Sequence, residues 1–160
     1  MMMDTSNPTL VTRKSERELV VTRTFDGSAQ IVFEAWTKPE LFMQWWAPKS
    51  TGVPLLSCEM DVRTAGTYRL EFGKHAENSF AFFGKYTEVT PHSRLVWTNE
   101  ESNDAPITTV TFEAKGDKTL LNLHELHLSK EELDNALIGM EACVPEQFAQ
   151  LDDLLVELAA

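Results

Sequence analysis

Residues 129–160 read SKEELDNALIGMEACVPEQFAQLDDLLVELAA, and the spacing of their apolar members decides the fold. Leu133, Leu137, Met140, Val144, Phe148, Leu151, Leu155 and Leu158 follow one another at steps of three or four. That period puts them in one stripe, with the charged residues opposite. The spacing predicts a long amphipathic helix. Gly139 and Pro145 interrupt it, and proline lacks the helical N–H donor and crowds the preceding turn. Because the stripe stays in phase across both, the segment is expected to be one bent helix, or two nearly collinear ones joined between Gly139 and Pro145. A helix that is apolar on one side must bury that side, so the rest of the chain has to supply a facing apolar surface.

The preceding chain reads as strands. Residues 119–128 and 107–114 flank Lys115-Gly116-Asp117, a turn signal, and read as a hairpin. Working backwards, strands are expected at 95–99, 80–89, 67–72, 56–62 and 18–25. Short turns and no helical crossovers separate the later ones, which implies an antiparallel sheet. After the first strand, Asp26-Gly27-Ser28 forms a turn and a helix cap. Ile31, Val32, Ala35 and Trp36 then share a helical face. Pro39 opens a second short helix over 39–46, stopped by Pro48. The expected class is α+β: a curved antiparallel sheet of six to seven strands around the C-terminal helix, with two short helices after the first strand. Residues 1–15 are expected to be a disordered lead-in and 16–160 a single domain. A strongly curved sheet has one concave face to fill, and the long helix has one face to bury.

Charge narrows the partners. The chain carries 14 Lys and Arg against 25 Asp and Glu, a net −11. Nucleic acid is a poor partner for it, since phosphate binding needs clustered cations. Eight acids and a single base, Lys130, fall within 129–160. They are expected to form a solvated helix face. No apolar run reaches the roughly 18 residues of a membrane helix, and the start of the chain lacks the basic-then-apolar order of a signal peptide. A cytoplasmic location is the expectation, without membrane insertion. Cys58 and Cys143 stand far apart, outside any metal-ligand spacing, and are expected to be buried free thiols.

The element order, together with particular residues, resembles a known family. The residues are Val20 to Phe25 with Asp26, then Trp36-Thr37-Lys38-Pro39-Glu40-Leu41 and Gln44-Trp45-Trp46-Ala47-Pro48. Next come Met60-Asp61-Val62-Arg63, Gly66-Thr67-Tyr68, Gly84-Lys85-Tyr86-Thr87-Glu88-Val89 and Arg94-Leu95-Val96. Thr109-Val110-Thr111-Phe112 and Gly139-Met140-Glu141, with Phe148, Leu151 and Leu154-Leu155, complete the set. This pattern resembles the family named after the activator of the heat-shock-protein-90 ATPase, single-domain bacterial type. That family lies in the START-like (SRPBCC) helix-grip superfamily, beside the polyketide cyclases. Gly27-Ser28 stand where the family often has Ala-Pro, and Cys143-Val144 where Gly-Trp is common. The resemblance implies the helix-grip fold. By analogy alone, it also suggests a chaperone partner.

Two sets of residues could carry function. Alternation along 119–128 places Leu121, Leu123, Glu125 and His127 on one face, and His124 on the other. Glu125 and His127 would look toward the cavity mouth or the helix, and with Tyr86 they are the candidate catalytic groups. His124 and His127 face opposite ways and cannot chelate together, so no metal is expected. No phosphate loop or nucleophile elbow is present, and no cofactor is implied. The second set is aromatic-rich: Trp36, Trp46, Tyr68, Phe82, Tyr86, Trp97, Phe112, Leu123, Met140 and Phe148 are expected to line an apolar cavity. Binding of a small hydrophobic molecule is the leading expectation. Cyclase- or aldol-like chemistry on a polyketide-type ligand is one alternative, and a chaperone-associated interaction module another. The sequence is also compatible with a homodimer.

Overall fold

The computed structural model describes residues 8–101 and 105–159. The early lead-in and the middle of the acidic loop at 100–105 lie outside the described residues. The elements are β1 (Leu10–Arg13), β2 (Glu18–Phe25), α1 (Ala29–Thr37), α2 (Pro39–Phe42), β3 (Leu55–Met60), β4 (Thr67–Phe72), β5 (Phe80–Thr90), β6 (Arg94–Thr98), β7 (Ile107–Lys115), β8 (Lys118–Leu126) and α3 (Lys130–Ala159). Among the described residues eight strands form one sheet in the order β1-β2-β8-β7-β6-β5-β4-β3, and every neighbouring pair is antiparallel. The fold is the α+β helix grip. None of the described helices is long and apolar enough to cross a membrane.

The extra strand is β1, within the stretch expected to be a lead-in. Leu10 pairs with Thr22 and Arg13 with Leu19, so β1 extends the sheet beyond β2. Four residues are too short a signal to stand out, and the strand takes its order from its neighbour. The second helix is also shorter than expected. After Phe42 the Gln44 N–H donates to Leu41 O, a tighter turn than the α-helical one, and regular helix ends there.

α1 begins at Ser28, whose hydroxyl accepts from the Ile31 N–H. Its buried face carries Val32, Phe33, Ala35 and Trp36. Trp36 stands at the centre of the aromatic core, with ring centroids 4.8 Å from Trp45, 6.1 Å from Phe112 and 6.3 Å from Phe148. Trp45 is pinned by its Nε1–H, which donates to Ala35 O at 2.9 Å.

α3 is one helix, with Pro145 inside it. Proline at this position leaves the Glu141 carbonyl without its intrahelical donor. Glu141 and Pro145 are both exposed, so water can serve that carbonyl. The buried residues of α3 are Leu133 and then Val144, Phe148, Leu151, Leu154 and Leu155. Each fully buried Leu or Phe contributes roughly 1.5–3 kcal/mol. The C-terminal half is therefore well anchored. Leu158, expected on the stripe, is exposed at the helix end. Between Leu133 and Val144 no residue of α3 is fully buried.

Arg13 of β1 pairs with Asp134 near the start of α3 at 2.6 Å, but most polar contacts of α3 follow the same asymmetry. Gln147 Nε2 donates to Trp46 O at 2.5 Å, and Gln150 Nε2 donates to Trp45 O and Ala47 O, both at 3.0 Å. The Lys49 N–H donates to Gln150 Oε1, and the Ser50 N–H to Glu146, each at 2.9 Å. Arg23 on β2 pairs with Asp152. The latter contacts all fasten α3 from residue 146 onward.

Candidate functional site

The concave face of the sheet is filled unevenly, and a cavity results. On β7, Thr108, Val110 and Phe112 point inward, and all three are buried. α1 lies over the Phe112 end, where Phe33 meets Phe112 at 5.3 Å between ring centroids. α3 covers the other end with its loosely packed half. A cavity of about 410 Å³ remains beneath it. That is toward the lower end of the roughly 300–1,000 Å³ typical of small-molecule sites.

Of the residues singled out in the sequence, Trp36, Trp46, Tyr68, Phe82, Tyr86, Trp97, Leu123, Met140 and Phe148 line this cavity. Phe112 does not. It has the predicted inward orientation, but Phe33 and Trp36 of α1 occupy the space in front of it. Strand alternation identifies the face a side chain takes, but not how far along that face a helix reaches.

The register of β8 places the polar end. Leu121 is fully buried, Leu123 stands at the cavity boundary, and Glu125 and His127 follow it into the cavity wall. Glu125 Oε1 accepts from His127 Nε2 at 2.9 Å, and the His127 side chain is 3% exposed. On the opposite face His124 Nε2 lies 2.7 Å from Glu18 Oε2. The two histidines face opposite ways. Among the described residues no three His, Cys, Asp or Glu converge as metal ligands.

Sequence reading missed Asn99, Glu101, Thr108 and Gln147, which also line the cavity. Thr108 shares the Phe112 face and could have been found by alternation. Asn99 and Glu101 follow β6, beyond the reach of any periodicity. The Tyr68 hydroxyl lies 2.8 Å from Thr98 O and 2.7 Å from Asn99 Oδ1. Burial raises the Tyr68 pKa well above that of an ordinary phenol, and the nearby Glu101 adds to the effect. Burial likewise raises that of Tyr86, with Cys58 adding to it. Both phenols stay protonated at neutral pH.

The cysteines differ from expectation in being half-buried rather than buried. Cys143 lines the cavity. Burial, helped by Glu40, pushes the Cys58 thiol up to about 11, so it carries little thiolate at neutral pH.

The family model for Activator of Hsp90 ATPase homolog 1-like protein matches residues 26–156. A crystal structure of a protein from Rhodobacter sphaeroides superposes with a TM-score of 0.85 at 20% identity, covering 94% of this chain and 99% of that one. Protein NE0264 from Nitrosomonas europaea gives 0.80 at 21% identity, over 92% and 99%. The AHSA1-like protein from Aeromonas hydrophila gives 0.66 at 16% identity, over 84% and 92%. At these identities the likeness shows the fold alone. No curated protein matches the chain.

Proposed function

Because the chain belongs to the Activator of Hsp90 ATPase homolog 1-like family, we propose that it binds a small hydrophobic molecule between the sheet and α3, and does no chemistry on it. One observation carries this reading: a cavity of about 410 Å³ whose wall is mostly aromatic and aliphatic, with Tyr68, Asn99, Thr108 and Glu125 adjoining one another on it. Such a wall favours an apolar body, and the few polar groups would orient it. A native mass-spectrometry screen of small aromatic and aliphatic compounds tests the reading, with two-dimensional NMR to locate the hits. Stoichiometric adducts should shift the amides of Leu123, Met140 and Phe148. A chemically broad set that gives no adduct and no shift there would refute it.

The pair of Glu125 and His127 favours a second reading, cyclase- or aldol-like chemistry on a polyketide-type ligand. In it His127 moves a proton, Glu125 holds the ring by its Nε2–H, and the protonated Tyr86 phenol serves as acid or hydrogen-bond donor. Under this reading Glu125→Gln and His127→Gln would lose turnover while keeping ligand affinity. Ligand recovered unchanged after long incubation with the native protein would exclude it.

A further inference from the structure

The chemistry of the cavity wall is one-sided. Among the described residues that line it there is no Lys and no Arg, while Glu101 and Glu125 both reach it. Each of these carboxylates has one oxygen engaged. Glu101 Oε1 accepts from the Phe83 N–H at 3.0 Å, and Glu125 Oε1 from His127 at 2.9 Å. The second oxygen of each accepts no hydrogen bond from the described residues. Two of the donors on the wall are spent within the protein: Gln147 Nε2 on Trp46 O, and the Tyr68 hydroxyl toward Thr98 O. The Trp36 Nε1–H is covered by its neighbours and does not reach the cavity surface. The lining carboxylates therefore meet no Lys or Arg on the wall.

The aromatic rings point the same way. Their faces carry partial negative charge, and a cation within about 6 Å of a ring centroid is attracted to it. Trp36, Trp46, Trp97, Tyr68 and Tyr86 surround the space. The negative potential is felt inside the protein, since Glu101 and Glu125 both help to raise the pKa of the buried Tyr68 phenol. At longer range the net charge of −11 draws cations toward the chain.

We propose that the molecule taken by the cavity is a hydrophobic amine or other organic cation, its apolar body against the aromatic wall and its charged end toward Glu101 and Glu125. This rests on the hydrophobic-ligand reading and narrows it. A buried charge is tolerated only when it is paired. An ammonium finds carboxylates and ring faces here. A carboxylate or phosphate would find like charge and, among the described lining residues, no Lys or Arg, so fatty acids and phosphorylated molecules are disfavoured.

A matched set separates this inference from the reading beneath it. Phenylhexylamine, phenylhexanol and phenylhexanoate share one apolar body and differ in the end group. Titrated by calorimetry and NMR into the full chain, the amine should bind at least about tenfold tighter than the alcohol, a difference of about 1.4 kcal/mol. The acid should bind weakest. Glu125→Gln should lower the amine's affinity by far more than the alcohol's and so erase most of the amine's advantage. Glu101→Gln, at a more open position, should do the same in part, which keeps the test decisive if the first variant folds poorly. Equal affinity for amine and alcohol, or tighter binding of the acid, would overturn the cation preference and leave the hydrophobic site standing. No binding by any of the three, with no shift at the cavity residues, would overturn both.

Discussion

The carbonyl oxygen of Thr98 lies 1.8 Å from the point a Cβ would occupy on Gly84. Gly84 sits on β5 between Phe82 and Tyr86, and the Tyr68 ring is 3.1 Å from the same point. The obstacle is main chain on a neighbouring strand, which cannot rotate aside. The same Thr98 carbonyl is 2.8 Å from the Tyr68 hydroxyl. Gly84→Ala should therefore cost at least the roughly 1–3 kcal/mol of ordinary overpacking. It should also disturb the polar end of the cavity. Urea unfolding reads the first effect and Tyr68 resonances the second. Stability within about 0.5 kcal/mol of the parent, the range of a neutral surface change, would contradict this account.

Phe148 belongs both to the cavity wall and to the core, with ring centroids 5.2 Å from Phe25 and 6.3 Å from Trp36. Phe148→Ala should destabilise by about 3–5 kcal/mol, because removing the ring loses its burial and leaves a void. Phe148→Leu should cost markedly less. Denaturant unfolding of both variants checks the order, and equal losses would show that the ring shape matters more than its volume.

Stability should fall in acid by a route that can be assigned. Glu18 is held below its ordinary pKa by the hydrogen bond from His124, Glu71 by that from Ser79, Asp134 by that from Arg13, and Glu146 by that from Ser50. Each of these groups has a lower pKa folded than unfolded, so each stabilises the fold fully above its ordinary value. That contribution disappears as the pH drops through the folded value. For the glutamates the loss should start near 4.5 and deepen below it. Glu146→Gln should flatten this limb of a stability–pH curve without changing the neutral-to-alkaline limb. An unchanged acid limb would remove Glu146 from the explanation.

The loosely packed half of α3 should be the part that opens. It roofs the cavity with Met140 and Cys143 and carries both Gly139 and the proline step. Amide exchange should be fast over 138–146 in the free protein and slow when the cavity is filled. Gly139 has nothing within 4 Å of an added Cβ. Gly139→Ala should thus gain about 1 kcal/mol of helix stability and slow ligand entry. Uniform strong protection from Leu133 to Leu155 in the free protein would show a rigid roof.

Much of this architecture was legible in residue order. The bounds of β2 and β4 follow from the runs ELVVTRTF and TYRLEF, and the inward set Leu121, Leu123, Glu125, His127 follows from period two. The stripe from Leu133 to Leu155 predicted the helix that the sheet wraps. Three features could not be read in this way. β1 is defined by pairing with β2, a relation between segments that a four-residue pattern does not contain. Phe112 is kept from the cavity by α1, whose placement is a tertiary fact. The continuity of α3 through Pro145 depends on the exposure of the Glu141 side, which only the packed structure decides.

Gln150 uses both ends of its amide on backbone: two carbonyls, of Trp45 and Ala47, on its nitrogen, and the Lys49 N–H on its oxygen. A side chain that grips main chain does not care which side chains that main chain bears. Substitutions at Lys49 should therefore pass almost unnoticed by the helix, provided that the turn keeps its shape. Position 150 has no such latitude. Glutamate there would set a carboxylate against two carbonyl oxygens, and leucine would leave three backbone groups unanswered. The loop is free to drift in sequence, while the residue that holds it is not.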